Sequence, residues 1–328
     1  MNEFLDYKHT VREITKSASR ALSALYAKFI SCGGMTYDVF TKLYRSVVEP
    51  VLYYGSGIWG HTNWREVQVI QNKACRLFLG SASNASNIAI QGDMGLTSTK
   101  SAEILETFRL FLRVSKAYDT RLTYKVHMWS KDCSRSWDKN CIKKAQILGI
   151  ENVINDSFSI KHKLQDIKSK LCEKDKNEWV EKLFNDRNQC NGNKLRIYRE
   201  YKHVLEFSSY VKLVRNRQHR RVLSNFRSGC LPLAVETGRY TKPKIPLNER
   251  TCIYCTDNCV EDEKHFLLGC DFYADLRYDL MKKSGDICDS FNDLDLQDKF
   301  IFLMSNDSIQ PFLAKTLYQM FYRRRYCV

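Results

Sequence analysis

Residues 251–270 read TCIYCTDNCVEDEKHFLLGC and contain four cysteines and one histidine. Cys252, Cys255, His265 and Cys270 follow the spacing C-x2-C-x9-H-x4-C. A C-x-x-C pair on a tight turn brings two thiolates within reach of one ion, and the second pair must return from the following segment. Three thiolates and one imidazole are a ligand set of structural zinc, with no position left for water. The stretch therefore predicts a structural Zn²⁺ site.

The residues between the two ligand pairs suit that return. The acidic run at 261–263 favours the start of a helix, which would carry His265, and Gly269 can end the helix and turn Cys270 back toward the metal. Cys259 is a fifth candidate ligand at the tip of a turn, and whether it replaces one of the four stays open. The alternative to a metal site is a set of ordinary buried thiols.

The charge is concentrated in the middle of the chain. The 328 residues have a formal net charge of +15, and residues 1–130, 131–247 and 248–328 contribute +6, +13 and −4. This asymmetry favours a polyanionic partner, most plausibly nucleic acid, over a basic surface that serves only solubility.

The basic residues expected to contact phosphates lie on predicted helices. Residues 194–227 hold ten Lys and Arg against two Glu, with Tyr198, Tyr201 and Tyr210 among them as rings for base stacking. On one continuous helix the arginines would fall opposite Leu213, Val214 and Leu223. The predicted nucleic-acid-binding residues are Arg215, Arg217, Arg220, Arg221 and Arg227, together with Lys73 and Arg76 of an earlier helix.

Apolar residues recur with helical spacing along most of the chain, and almost no alternation typical of strands is present. We expect helices over 11–31, 65–79, 99–116, 195–227 and the last thirty or so residues. Residues 131–190 are polar and lysine-rich, which suggests a linker with short helices, followed by an Asn-Gly turn at 191–192. The predicted fold class is mainly α.

One further helix is predicted after the glycine pair at 33–34. Thr36 can cap it, Val39, Leu43 and Val47 form its buried face, and Pro50 ends it.

Several of these stretches resemble a known protein family. NFRSGCLPLAVETGRY (225–240) and RTCIYCTDNCVEDEKHFLLGCDFYADLR (250–277) resemble the C-terminal tail of reverse transcriptases from non-LTR retrotransposons. SASRALSALYAKF (17–29), GGMTYDVFTKLYRSVVEPVLYYGSGIWG (33–60) and VQVIQNKACRLFLG (67–80) are similar to the segment that follows the polymerase palm. The resemblance implies a thumb-like helical bundle over 1–130, a basic helical linker over 131–247, and a CCHC zinc knuckle with a C-terminal helix over 248–328.

The chain departs from that family in its catalytic residues. A polymerase needs paired aspartates in a Y-x-D-D hairpin, and here Tyr273-Ala274-Asp275-Leu276 has Leu276 at the second aspartate position. We expect a helix surface there, with Asp275 and Arg277 in solvent. The resemblance thus implies a 5′-truncated retrotransposon fragment that binds RNA or DNA template–primer without being an enzyme. The alternative is a zinc-stabilised module for protein–protein interaction.

The remaining expectations concern the protein's surroundings. No run of eighteen apolar residues occurs, so a membrane span is not expected. Thirteen cysteines without an apolar leader are typical of reduced thiols in an intracellular, nuclear or cytoplasmic protein. The pattern gives no oligomeric state.

Overall fold

The computed structural model describes residues 7–133, 136–155, 157–185 and 194–326. Within these ranges the chain is helical, and the extended segments form only two isolated antiparallel bridges, Met94 with Phe207 and Thr251 with Val260. The mainly α fold is confirmed. The predicted Asn-Gly turn at 191–192 lies outside the described residues. No described helix is both long enough and apolar enough to cross a membrane.

The α-helices of the described residues are numbered in chain order. They are α1 Tyr7–Ser31, α2 Tyr37–Leu43, α3 Glu49–Leu52, α4 Ser56–Trp59, α5 Arg65–Leu79, α6 Asn87–Met94, α7 Thr99–Ser115, α8 Leu122–Asp132, α9 Trp137–Leu148, α10 Glu151–Asn155, α11 Ile160–Asn185, α12 Tyr198–Tyr201, α13 Tyr210–Leu213, α14 Arg217–Arg227, α15 Ala234–Thr237, α16 Ala274–Ile287, α17 Leu296–Ser305 and α18 Gln310–Tyr326. π-Turns cover Tyr44–Val48 and His265–Gly269.

The helix ends agree with the capping and glycine residues found there in the sequence. Ser98 caps α7 by accepting a hydrogen bond from the Lys100 amide at 3.2 Å. Gly80 follows α5 with φ of +72°, a conformation that costs glycine nothing and other residues about 1 kcal/mol. A side chain at Gly80 would also meet Arg221, whose Cβ lies 3.0 Å from the ideal Cβ position. The predicted end of α5 at residue 79 and the predicted start of α7 at residue 99 are therefore confirmed.

The helix predicted after Thr36 differs from expectation. The π-turn Tyr44–Val48 inserts an extra residue, and Pro50 then stands in the first turn of α3, where its missing N–H costs nothing. The buried side chains are Phe40, Tyr44 and Val48, whereas Val39 and Val47 are about half exposed. The predicted inner face is wrong by one position, and Pro50 does not end the helical run.

The chain divides into two compact units by its internal contacts. The first contains Met1–Cys32, Thr41–Ala74 and Thr97–Glu178, and the second contains Gly33–Phe40, Cys75–Leu96 and Trp179–Val328. These limits differ from the boundaries at 130 and 247 expected from the sequence.

The first unit has a core that includes the segment predicted to be a linker. Ile104 and Phe108 of α7 pack with Cys141 of α9 and with Ile167 and Leu171 of α11. Each of these five side chains is at most 4% exposed. The described residues of 137–171 therefore contribute to a packed helical core, and the interpretation of this stretch as a linker is wrong.

The second unit is built around α14 and α18, which pack against each other, with α16 and α17 also in contact with α18. Leu223 and Phe226 of α14 and Leu313, Leu317 and Met320 of α18 are buried in its core.

A buried ion pair lies within the second unit. Asp93 and Arg227 are 1% and 2% exposed, and an Arg227 Nη donates to the Asp93 carboxylate at 2.9 Å. The hydroxyls of Tyr198, Ser208 and Tyr210 donate to the same carboxylate at 2.8–3.0 Å. Burial alone would raise the pKa of Asp93, but Arg227, Lys202 and the hydroxyl of Tyr210 lower it below its ordinary value.

Candidate metal centre

The first two ligands stand on a loop closed by backbone hydrogen bonds. The Cys252 amide donates to the Cys259 carbonyl at 2.9 Å, and the Glu261 amide donates to the Arg250 carbonyl at the same distance. Asn258 takes φ of +52° at the turn, a conformation that asparagine tolerates better than most residues. The loop therefore folds back on itself and carries Cys252 and Cys255 on one tight turn.

The second pair stands on the π-turn that follows. Asp262 accepts a hydrogen bond from the His265 amide at 2.8 Å through its side chain, as an N-cap does. At the other end the Cys270 amide donates to the His265 carbonyl at 2.8 Å. A Cβ on Gly269 would lie 3.2 Å from Nδ1 of His265, so the absence of a side chain at this position lets the imidazole pack against the backbone.

The four ligand atoms converge on one point. All lie within 4.8 Å of one another, with Cys252 Sγ 3.8 Å from Cys270 Sγ and Cys255 Sγ 3.4 Å from His265 Nε2. Bonds of about 2.3 Å to sulfur and 2.0 Å to nitrogen at the tetrahedral angle predict separations of about 3.8 Å and 3.5 Å. The Cys3His cluster predicted from the spacing is confirmed as a group that could hold a metal ion such as zinc.

The electrostatics of the thiols also suit a metal. Burial raises the pKa of Cys270 to about 12, and Cys252 and Cys255 add to that shift. Burial, with a contribution from Cys252, also raises the pKa of Cys255 above its ordinary value. Without a cation these sulfurs stay protonated at neutral pH. A bound divalent ion would replace the protons and stabilise the thiolates, so binding of the metal ion and release of the thiol protons are coupled.

A charged contact joins the last helix to the loop that carries the first two ligands. Glu261 is 1% exposed and lies beside the site, with a carboxylate oxygen 3.9 Å from Cys252 Sγ. Arg324 pairs with both oxygens of that carboxylate, and its guanidinium lies 4.5 Å from the ring centre of Tyr254 between the first two ligands. The Ala234 amide donates to Glu261 at 2.7 Å. We call Glu261, Arg324 and Tyr254 the arginine clasp.

Cys259 stands apart from this cluster. Its side chain is exposed, and its sulfur lies 3.4 Å from the Asp257 carbonyl oxygen. The four clustered ligands do not include it.

Two of the arginines predicted to contact nucleic acid lie in the interior. Arg220 is 1% exposed, donates to the carbonyls of Phe78 and Val214, and stacks 4.3 Å from the Phe78 ring centre. Arg227 lies in the buried pair with Asp93. The prediction that these two side chains form part of a surface stripe is wrong.

The tyrosines predicted to stack bases are also turned inward. Tyr198 and Tyr210 are at most 1% exposed and donate to Asp93, and Tyr201 is half-buried with its ring 4.6 Å from the Arg227 guanidinium. These rings surround the buried ion pair, so the prediction that they stack bases is wrong.

The other predicted contact residues have more accessible side chains. Arg215, Arg221 and Lys73 are exposed and Arg217 is half-buried. Arg76 is half-buried and donates to the Ala85 carbonyl and the Asn87 side chain at 2.9 and 2.7 Å. Arg76 therefore has a structural role that the sequence did not predict.

The Tyr273-Ala274-Asp275-Leu276 segment lies at the start of α16, on a helix as expected. Arg323 donates to both oxygens of Asp275 at 2.5 and 2.6 Å and lowers its pKa to about 2. Arg277, expected in solvent, is 8% exposed, and burial lowers its pKa. The expectation of two solvated side chains is wrong for Arg277.

Sequence reasoning missed Glu261 and Arg324 as parts of the site. Their signals were present but general, since Glu261 opens the acidic run and Arg324 lies in the Arg-Arg-Arg run at 323–325. Nothing in their spacing indicates that they pair across 63 residues.

Comparisons with known proteins give no relative for this chain. No protein family profile, no curated protein and no solved structure matches it.

Proposed function

We propose that this chain is a zinc-stabilised nucleic-acid-binding protein, of the kind found at the C-terminal end of non-LTR retrotransposon reverse transcriptases, without polymerase activity. The observation that carries the proposal is the convergence of three thiols and one imidazole at zinc-ligand distances. A site with four protein ligands leaves no position for a substrate or a reactive water, so its role is structural.

The zinc part of the proposal has a large energetic consequence. Binding of a structural zinc ion is worth roughly 10–16 kcal/mol at neutral pH, against the 5–15 kcal/mol of total stability of a typical domain. Cys252, Cys255, His265 and Cys270 would hold the ion, and the arginine clasp would fix the loop over it.

Elemental analysis of the full chain, purified without chelator, tests the zinc site. We expect one zinc per chain, and we expect Cys252→Ser to lose it because a hydroxyl is a poor zinc ligand. Cys259→Ser is the matched control and should keep the metal, since its sulfur lies outside the cluster. A zinc-free wild type that stays folded, or equal loss in both variants, contradicts the proposal.

The nucleic-acid part is supported by charge. Residues 131–247 carry a net charge of +13, and Arg215 and Arg221 remain exposed near and on α14. Arginine forms bidentate contacts with phosphates, which favours binding to a backbone with little sequence preference.

Duplex affinity measured against salt tests this part. With about six phosphate contacts, affinity for a mixed-sequence duplex should fall roughly a thousandfold between about 50 and 200 mM salt. Arg215→Ala with Arg221→Ala should reduce the log–log slope by about two. The control variant is Arg12→Ala with Lys16→Ala, which removes the same charge from exposed positions on α1, where no contact is predicted.

An unchanged slope in the Arg215 and Arg221 variant would place the contact surface elsewhere. Absence of binding even at low salt would overturn the nucleic-acid proposal and favour a protein-interaction module. Primer extension on a template tests the lack of polymerase activity, and template-dependent incorporation by the purified protein would contradict it.

A further inference from the structure

The exposed face of the last helix carries a row of aromatic rings. Tyr318, Tyr322 and Tyr326 follow one another at intervals of four residues on α18, which places them on one side of the helix. Their ring centres are 6.5 and 4.7 Å apart, and Tyr322 and Tyr326 are 55% and 60% exposed. We call these three residues the tyrosine ladder.

The ladder continues beyond its own helix. The His219 ring of α14 lies 5.0 Å from the Tyr318 ring, so the row extends across two packed helices. Burial and the nearby Lys315 lower the pKa of His219, which keeps the ring neutral at pH 7. Beside the ladder is a shallow groove of about 370 Å³, with Leu276, Gln319 and Arg323 in its wall.

Positive charge lies along the same face. The Arg325 guanidinium is 5.4 Å from the Tyr326 ring centre, and Lys315 is exposed one turn before Tyr318. Asp275, on the neighbouring helix, is neutralised by its bidentate pair with Arg323. A molecule on the ladder therefore meets exposed rings next to the cationic groups of Arg325 and Lys315, which complements stacked bases joined by phosphates.

We propose that the tyrosine ladder is a stacking platform for the unpaired bases of a single-stranded nucleic acid. Bases stack on aromatic side chains irrespective of sequence, whereas paired bases in a duplex present only their edges and backbone. The inference rests on the proposed nucleic-acid-binding function and assigns to α18 the role that the sequence suggested for Tyr198, Tyr201 and Tyr210.

Binding of a fluorescent 20-nucleotide single strand and of a hairpin duplex to the full chain tests the platform. Tyr322→Ala should weaken single-strand binding about 5- to 150-fold, the range measured for loss of one stacked base, and change duplex binding little. Tyr322→Phe keeps the ring and should bind within about twofold of the wild type. Tyr278→Ala removes a tyrosine of α16 that is 67% exposed and should have no effect.

Each variant is first checked for helical content and zinc content, so that a folding defect is not scored as lost binding. If Tyr322→Ala leaves single-strand affinity unchanged while the wild type binds, the ladder is not the platform and the proposed function stands. If the wild type binds neither probe, both proposals fail. Self-association of the wild type that Tyr322→Ala abolishes would instead assign the ladder to a second copy of this chain.

Discussion

Loss of the Arg227 side chain should destabilise the protein more than the loss of its own contacts alone would. Its guanidinium is the charge partner of Asp93, and the pair is enclosed by three tyrosine rings. Arg227→Ala leaves a buried carboxylate without a counter-ion, which should cost about 3–5 kcal/mol of unfolding free energy in urea denaturation. Arg221→Ala, on the exposed side of the same helix, should change stability by less than about 0.5 kcal/mol. Similar losses in the two variants would contradict the assigned role of the pair.

Glu103 should make the stability of the first unit depend on pH. Its side chain is fully buried in α7, and burial raises its pKa from 4.5 to about 8 despite the nearby Lys100. The unfolded chain therefore releases this proton at a lower pH than the folded chain, and stability falls as pH rises from about 4.5 to 8.

Glu103→Gln removes that titration and should flatten the pH profile. Relative to pH 5, the wild type at pH 8 should lose roughly 2–4 kcal/mol more unfolding free energy than the variant. The measurement is urea unfolding of both proteins at the two pH values, in which shared titrations cancel. Parallel losses would show that Glu103 is charged in the folded protein.

The Cys3His cluster was predictable from the sequence because its geometry is local. The four residues lie within nineteen positions, and a C-x-x-C turn followed by a short helix allows few arrangements. The buried arginines were not predictable, because their partners are remote in sequence. Asp93 lies 134 residues from Arg227 and Phe78 lies 142 residues from Arg220.

Gly269 sets the packing of the π-turn that carries His265. In Gly269→Ala the new methyl group would lie 3.2 Å from Nδ1 of the imidazole and should tilt the ring away from the metal position. We expect weaker zinc binding in competition with a chromogenic chelator, by about tenfold to a hundredfold, as for loss of other contacts that orient a ligand.

Gly285→Ala is the control for that change. A Cβ there meets only Asn292 at 3.7 Å, and alanine in the last turn of α16 should add up to about 0.5–1 kcal/mol of stability. Unchanged zinc affinity in Gly269→Ala would show that the imidazole has room to shift without leaving the ion.

At the scale of the helices, the sequence predicted which stretches are helical better than it predicted which face of each helix is buried. The arginine stripe was drawn on one helix through Leu213 and Leu223, but α13 ends at Leu213 and Asn216 caps α14 anew. A break between two helices resets the angular relation of their side chains, so Leu213 gives no information about which face of α14 is buried. The one-residue offset of the buried face after Thr36 is already present at Phe40, before the π-turn at Tyr44–Val48, so it is an error of phase within one helix and not the result of a break.

At the scale of the whole molecule, removal of the metal should affect the two units differently. Hydrogen exchange with and without a strong chelator should show lost protection over residues 250–270 and the end of α18, which the arginine clasp joins. The core of Ile104, Phe108 and Leu171 belongs to the first unit and should keep its protection. Equal loss in both units would mean that the chain unfolds as one cooperative body.

The polar composition of the middle of the chain led to the wrong prediction of a linker there. α11 is rich in lysine, yet Ile167, Leu171, Trp179 and Leu183 give it a narrow buried stripe, and the Trp179 indole donates to the Ile88 carbonyl 91 residues away. So few apolar residues give only a weak signal of a buried face in a short window of sequence. Contacts with residues remote in sequence make α11 part of the core.

The arginine clasp has a consequence for synthesis on the ribosome. Arg324 is translated 54 residues after Cys270, which takes about 3–11 s at roughly 5–20 residues per second. During that interval all four ligands have been made, while Glu261 and Tyr254 still lack their guanidinium. The nascent loop can thus bring its four ligand side chains together as an open hairpin, and the contact with Arg324 forms only after that part of the last helix has been made.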